Sequence, residues 1–561
     1  MTAAEKLPER TQGHQPPALK GGLPLLGHMI PFARNPFEFM KKTADQLGEI
    51  ARFKIFNQTM ILLTGDEASE LFYRSSDEQL DQSAAYKLMT PIFGEGIVFD
   101  APNERKNQQL KMLMPALRAE AMREHSSKIV QEVEDMTSRW GDAGEIELVS
   151  AMKQLTINTA SHCLLGKEFR YELTHEFAEI YHDLEKGVNA LAYSFPYLPI
   201  PSFRKRDKAR TRLQSLVKNI IQKREHQTEK PTDMFQMLID THYDDGSKLS
   251  ENEITGMLIG AIFAGHHTSS GTAAWVLLEL LKHPEHLNNV TQELDQLLGP
   301  DGAVTFQSLR EVPHLENVLK EVLRLHPPLI VLMRQVAEDL QFKQYTIKKG
   351  DMVWASPPVT HRLSKHFANP SAFDPSRYNA DRAEDKNLMA YQPFGGGKHK
   401  CSGNAFAMFQ IKAIFSVLLR QYDFELVDSA DTYVDDYREM IVQPKSPCRI
   451  RYRRKENISP TVLTHLNSNG CPFTGNSHPV EAVPASLQES RPISITIDRQ
   501  LCQGHGMCMG EAPEIFRIEK NGDLTLLKSE IDNDQLKCAL SAEKHCPNQA
   551  IKVNWPNRKL N

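Results

Sequence analysis

From about residue 25 to residue 455 the chain runs as long amphipathic stretches separated by Pro and Gly breaks. That period predicts a mainly α fold. The longest stretch, LSENEITGMLIGAIFAGHHTSSGTAAWVLLELLKHP, opens on Ser250 and Glu253, spaced as a capping box, and is then largely apolar to Leu281. Its one polar interruption, from Ala264 through His266, His267 and Thr268 to Ser270, predicts a local bulge or kink, because Gly and Ser/Thr weaken the helical ladder. Short β-like runs at 50–56, 60–64 and 448–453 predict small sheets within the same domain. At 456 the pattern stops. Residues 456–492 are rich in Ser, Asn, Pro and Gly without an apolar period, which predicts a linker. As a coil it would span roughly 33 Å. From Ile493 an alternating strand, ISITIDRQLC, opens a small α+β unit that runs to 561. The expected parts are therefore 1–455, 456–492 and 493–561.

Composition narrows the class. The 561 residues are 40% hydrophobic and 24% charged, with mean hydropathy −0.44. Length alone admits three or four domains at ~150 residues each. The balance suits a soluble globular chain and excludes a polytopic membrane protein, a collagen-like chain and a disordered tail. A net charge of −5 gives no footprint for nucleic acid. No window approaches ~20 uncharged apolar residues, so no integral membrane segment is expected. Lys6, Glu9 and Arg10 fall where a secretory signal needs an apolar core. The expected location is the cytoplasm, where eight cysteines are too sparse for a disulfide scaffold and serve as core residues or metal ligands.

Two of those cysteine sites carry chemistry. In QPFGGGKHKCSGNAFAMFQ, Cys401 follows a Gly-rich loop and Lys398, His399 and Lys400, and precedes a long apolar segment. A thiolate ligand needs N–H groups, cations or a helix N-terminus nearby, and glycines let backbone approach a flat cofactor. Upstream, KEVLRLHPP places Glu321 and Arg324 on one helical face, and FDPSRY supplies Arg377. Alone, Glu321 and Arg324 would read as a surface ion pair worth little. Together and in this order, the three segments resemble cytochrome P450 monooxygenases over residues 25–455. The resemblance implies the cytochrome P450 fold, haem b with Cys401 as axial thiolate, O2 as co-substrate, and Glu321, Arg324 and Arg377 as a structural triad.

AGHHTSS places His267 where the family usually has an acid before Thr268, and this resembles the sterol 14α-demethylase branch. YKLMTPIFGEGIVFD, from Tyr86 to Asp100, resembles the same branch. On that resemblance Tyr86, Arg334 and His399 would contact the haem propionates, with Lys106 or Lys111 as a further donor left unassigned. Tyr86, Leu88, Met89, Phe93, Ala264, His267 and Leu329 would line the substrate pocket, and Thr268 with His267 would deliver protons during oxygen activation. Leu88 stands where the branch has Phe in members acting on sterols with one methyl at carbon 4, and so implies a lanosterol-type substrate. By the residues alone, adjacent histidines on a helix face apart, which argues against a two-His metal site.

In the C-terminal unit, CQGHGMC places Cys502 and Cys508 around His505, and KHCPNQAI adds Cys546 before Pro547. Three thiolates and a His at the fourth corner resemble small bacterial ferredoxins with a 3Fe-4S cluster. Cys471, in the linker, and Cys538 are read as bystanders. The resemblances together imply a bacterial sterol 14α-demethylase fused to its ferredoxin, with intramolecular ferredoxin docking and NAD(P)H supplied through a separate ferredoxin reductase. The alternatives are a cytochrome P450 hydroxylating another steroid or terpenoid, and a non-catalytic sterol sensor. The basic run Arg449, Arg451, Arg453, Arg454, Lys455 reads as a solvated strand edge, or else as a docking contact for the cluster domain.

Overall fold

Buried positions along Ile50–Ile55 and Gln58–Leu63 make two strands that pair antiparallel, as the β-like runs there predict. The computed structural model describes residues 14–188, 192, 195–299, 302–437, 441–456, 493–499, 501–519 and 522–555. The N-terminal charges at Lys6, Glu9 and Arg10, and the expected linker beyond Glu456 with Cys471, lie outside the described residues. The chain divides into two compact units. One comprises Met1–Lys87, Leu329–Ala372 and Ala383–Gly395; the other comprises Leu88–Pro328, Phe373–Arg382 and Gly396–Asn561.

The first unit is built on a five-stranded sheet in the order Ile50–Ile55, Gln58–Leu63, Met352–Ala355, Leu332–Val336, Leu80–Asp81. Among these strands, Gln58–Leu63 and Met352–Ala355 pair parallel, with Met60 beside Met352, and the others pair antiparallel. Ile61, Leu63, Phe72 and Val353 fill one face, and Phe53, Met60, Leu62 and Trp354 the other. Burial on both faces is why the paired central stretches 60–63 and Met352–Ala355 are apolar runs rather than alternating ones.

The second unit is helical. Its longest helix, Glu251–Lys282, is closed at its N-terminus by Ser250 and Glu253, whose side chains bond each other's backbone N–H. The helix packs on Leu148–Ala160. It runs unbroken through 264–270, so the expected bulge does not form. Thr268 and Thr272 instead turn their hydroxyls back to the carbonyls of Ala264 and Thr268, 2.7 Å each. Their polar groups are satisfied within the helix, which leaves the ladder intact. The irregular turns fall elsewhere, as π-helical segments at Ser161–Leu165 and Glu168–Glu172.

The basic strand Arg449–Arg454 is the middle strand of a three-stranded sheet, between Ala143–Glu147 and Tyr422–Leu426, and not an edge. Its charges are taken up by neighbours: Arg451 pairs with Glu145 at 2.8 Å and Arg449 with Asp428 at 3.0 Å. Among the described residues, the hydrogen bonds and ion pairs that the cluster domain makes involve other residues, described below. Among the described residues no helix is long and apolar enough to cross a membrane.

Residues 493–555 have a core of their own, around Ile495, Phe516, Leu536 and Val553. A three-stranded antiparallel sheet orders Glu530–Ile531, Ile493–Ile497 and Ile551–Asn554, and a hairpin joins Phe516–Ile518 to Leu524–Leu526. The helices Met507–Glu511 and Asn533–Lys544 complete the α+β arrangement.

One buried cluster in the helical unit makes stability depend on pH. His326 stacks on Trp275 at 3.7 Å, lies 2.9 Å from Asp435 and 3.6 Å from Glu279. Burial opposes its charged form, but the Asp435 and Glu279 carboxylates outweigh it and hold the imidazole above the ordinary 6.5. A raised imidazole stabilises the fold below its unfolded pKa and loses that contribution as pH rises through the folded one. The stability difference between wild type and His326→Phe is therefore expected to shrink between about pH 6 and pH 9. Thermal melts across that range check it; a constant difference would remove His326 as the cause.

Candidate functional site

Cys401 sits between a left-handed glycine, Gly397 with φ 62°, and the helix Asn404–Gln421. The residues 397–399 form one 3-10 turn that carries the half-buried His399. Burial holds the Cys401 thiol above its ordinary range, while the Gly403 backbone N–H and the Lys400 ammonium act to lower it. A thiol with N–H and cation support at the start of a helix is a donor set that fits a thiolate-ligated haem iron.

Glu321, Arg324 and Arg377 meet with 0% exposure. Glu321 accepts both Arg324 donors at 2.8 Å, Arg377 Nε at 3.1 Å, the Tyr378 hydroxyl at 2.7 Å and the Asp374 backbone N–H at 2.9 Å. A surface ion pair is ruled out by that burial. The carboxylate is fully satisfied, which is what a buried charge requires.

On the long helix, His267 Nε2 makes a hydrogen bond with the carboxylate of Glu185, from Thr174–Glu185, and Tyr181 stacks on it. Burial pushes His267 down to about 4. The neighbouring His266 is buried, with Nδ1 3.0 Å from Thr156 Oγ1. The two imidazoles approach to 4.3 Å, and ligand atoms of Glu185, His266 and His267 lie within 4.8 Å of one another. The expectation that adjacent histidines face apart therefore fails. Both rings swing toward Tyr181 and Glu185, so side-chain packing overrides helical phase.

Leu88, Met89 and Phe93 are buried, and Phe93 stacks on Phe99 and meets Phe263 edge-on. Gly256 permits this approach, since a Cβ there would overlap the Phe93 carbonyl. Arg210 caps the same segment, donating to the carbonyls of Ile92 at 3.1 Å and Phe93 at 2.9 Å. Neither Glu185 nor Arg210 had a sequence signal, because each acts across a long chain separation. Ala264 is exposed on its helix, and Leu329, in the sheet unit, is 39% exposed.

Also in the sheet unit, Arg334 is buried, donates to the Phe72 carbonyl at 2.7 Å and lies over the Phe72 ring. Burial lowers its pKa, with Tyr73, Asp77 and Tyr86 opposing. The Tyr86 hydroxyl accepts the Met333 backbone N–H at 3.4 Å. Of the two lysines left open, Lys106 is buried, whereas Lys111 is exposed and pairs with Asp523 of the C-terminal unit at 3.6 Å.

Cys502, Cys508 and Cys546 line one cavity with Gly504, His505, Gly506 and Pro547. Gly504 and Gly506 both take φ 70°, which curls the loop around the thiols, and a Cβ at Gly504 would overlap the Gly522 carbonyl. The Ala550 backbone N–H donates to Cys546 Sγ at 3.2 Å. Burial, then the neighbouring thiols, pushes the Cys508 thiol far up in the protein alone. Three converging thiols with an N–H donor fit an iron–sulfur cluster. Cys538 packs at the margin of that domain's core and is disulfide-bonded, so it is not the bystander thiol that the sequence predicts.

The cluster loop lies against the Cys401 loop. His505 Nε2 reaches the Ser402 carbonyl at 3.0 Å, Gln503 donates to the Lys400 carbonyl at 2.8 Å, and Asn404 donates to Asn548 Oδ1 at 2.8 Å. Lys400 Nζ reaches the Pro547 carbonyl at 3.3 Å. Burial pushes Lys400 down to about 8, while Cys546 and Cys401 act to raise it. Arg310 forms a buried ion pair with Glu511 of the same domain as the cluster loop.

The fold and the two cysteine sites define a haem-thiolate monooxygenase joined to an iron–sulfur ferredoxin domain. The family model described as cytochrome P450 matches residues 16–452, and one described as a 4Fe-4S single cluster domain matches 495–553. The chain belongs to the cytochrome P450 family. It is 47% identical over 444 residues to a sterol 14alpha-demethylase of Mycolicibacterium vanbaalenii, covering 78% of this chain and 98% of the relative. It is 38% identical over 451 residues to a lanosterol 14-alpha demethylase of Bos taurus, covering 80% and 89%. Among solved structures, retinoic acid-bound cyanobacterial CYP120A1 matches with TM-score 0.70 at 25% identity, covering 79% of this chain and 100% of that one.

Proposed function

We propose that this chain is a sterol 14α-demethylase whose electrons pass through its own ferredoxin domain. The 47% identity to a sterol 14alpha-demethylase, over 98% of that relative, carries the reading. The haem, when bound, supplies oxygen activation for three successive oxidations of the 14α-methyl group, ending in formate and a Δ14 sterol. Cys401 would hold its iron, and Tyr86, Arg334 and His399 would serve its propionates. Leu88, Met89, Phe93, Ala264, Leu329 and Tyr86 would enclose a largely apolar, lanosterol-type sterol, as such a substrate requires. Glu321, Arg324 and Arg377 would hold the fold around the thiolate loop. Cys502, Cys508 and Cys546 would bind a 3Fe-4S cluster, His505 supplying no thiolate. A separate NAD(P)H-dependent reductase would feed it. The limits 1–455, 456–492 and 493–561 are proposed as the monooxygenase, linker and ferredoxin.

Thr268 Oγ1 would move the proton, with the adjacent His267 assisting. Thr268→Ala is expected to lower product formed per NAD(P)H consumed by about tenfold, while reductant consumption continues. Unchanged coupling would remove Thr268 from the relay. The function is tested with haem- and cluster-loaded protein, a ferredoxin reductase, NADPH, oxygen and lanosterol, followed by mass spectrometry. Formate and a Δ14 sterol are expected; a hydroxylated sterol as sole product would overturn demethylation.

A further inference from the structure

His505 lies midway between Cys502 and Cys508, at the corner where a four-cysteine loop would place a thiolate. The side chain is 5% exposed and is engaged with the monooxygenase part, through the carbonyl of Ser402, the residue next to Cys401. We propose that His505 is a positioning residue for electron transfer: the residue that withholds a fourth cluster ligand also fastens the cluster loop to the thiolate loop. The proposal rests on the reading of the C-terminal domain as this enzyme's electron donor.

Two further contacts join the same pair of loops. Gln503 donates to the Lys400 carbonyl, so both neighbours of Cys401 in the chain are gripped by the cluster loop. Asn548, two residues after Cys546, accepts from Asn404 and donates to the Leu501 carbonyl and Gln503 Oε1. It thus ties the Cys546 segment, the Cys502 segment and the start of the helix after Cys401 into one network. Each transfer would move one electron from a reduced cluster held by Cys502, Cys508 and Cys546 to a haem iron held by Cys401, and the NAD(P)H-dependent reductase would re-reduce the cluster. The rate of such a step falls steeply as donor and acceptor separate, so contacts that seat one loop on the other act on it directly. Tethering already places the domains at an effective concentration on the order of mM. His505 therefore adds orientation more than encounter.

The test uses the full-length protein carrying haem and cluster, in the variants His505→Leu, His505→Gln and His505→Cys. Haem reduction is followed by stopped flow under carbon monoxide with NADPH and reductase, cluster type by electron paramagnetic resonance, and loop protection by amide hydrogen exchange. His505→Leu keeps the size but loses the donor. It should retain the three-iron signal, slow haem reduction by about tenfold, the factor for one lost hydrogen bond to a buried carbonyl, and raise exchange in 400–404 and 503–508. His505→Gln keeps an N–H donor and should recover most of the rate and protection. His505→Cys should gain a fourth iron and still transfer slowly, which separates docking from ligation and serves as well if leucine loosens the cluster. Unchanged rate and exchange in both donor-free variants would overturn the proposal. Absence of demethylated sterol from wild type, with these rates still responding, would instead overturn only the substrate reading.

Discussion

Replacing Glu321 by alanine is expected to lower the melting temperature by roughly 3–5 °C and to release haem from much of the protein. Glu321 is the common acceptor for Arg324, Arg377, Tyr378 and the Asp374 backbone, and both arginines are as buried as it is. Removing the carboxylate takes from two buried guanidinium groups the charged acceptor they share. Breaking a buried pair in this way costs about 3–5 kcal/mol, against a total stability of roughly 5–15 kcal/mol. Arg324 stands on Pro313–Leu325 and Arg377 on the turn Pro375–Tyr378, so the loss also unties that turn from its helix. Glu321→Gln, which keeps the shape and part of the hydrogen bonding, should fall between the two. Differential scanning calorimetry with a haem absorbance titration measures both effects. A shift of only a degree or two for the alanine variant would mean that the arginines find other partners.

The second large effect concerns the attachment of the cluster domain. Arg310, from the turn Ser308–Arg310, and Glu511, at the end of Met507–Glu511, pair with side chains 8% and 3% exposed. Ser541 also donates to Glu511, which fixes the carboxylate from within its own domain. Arg310→Glu would set two carboxylates against each other in that buried place. The docked population is expected to fall by about two orders of magnitude, the factor for 3–5 kcal/mol moderated by the tether. Haem reduction through the fused domain should slow in parallel. Reduction by dithionite, which does not need the dock, should not change. The exchange Arg310→Glu with Glu511→Arg restores opposite charge and should recover much of the rate. Recovery is the decisive arm: a slow single variant without it would point to a folding defect rather than a lost ion pair.

The sequence carried the chemistry further than the architecture. Cys401 stood out because a glycine loop, a cation and a helix start lie within a few residues of it. Cys502, Cys508 and Cys546 stood out by spacing and by the proline after the last. The Ser250–Glu253 cap and the strands at Ile50–Ile55 and Gln58–Leu63 are local events, written in local pattern. Other readings from local pattern went wrong where a distant partner decided. The polar break at 264–270 predicts a distortion, but the hydroxyls closed on their own helix. The basic strand Arg449–Arg454 reads as an edge, but Ala143–Glu147 pairs along its other side, about three hundred residues away in sequence. Helical phase separates His266 from His267, but Glu185 and Tyr181 gather both rings to one place.

What the sequence determined by itself was the set of groups able to hold iron and sulfur, because ligand chemistry is a property of residue type and short spacing. What only the tertiary structure decided was which groups face each other. Arg310 with Glu511, Arg210 with the Phe93 carbonyl, and His505 with Ser402 are each joined across a hundred residues or more. Such pairs depend on how whole helices and loops pack, and packing leaves no mark in the spacing along the chain.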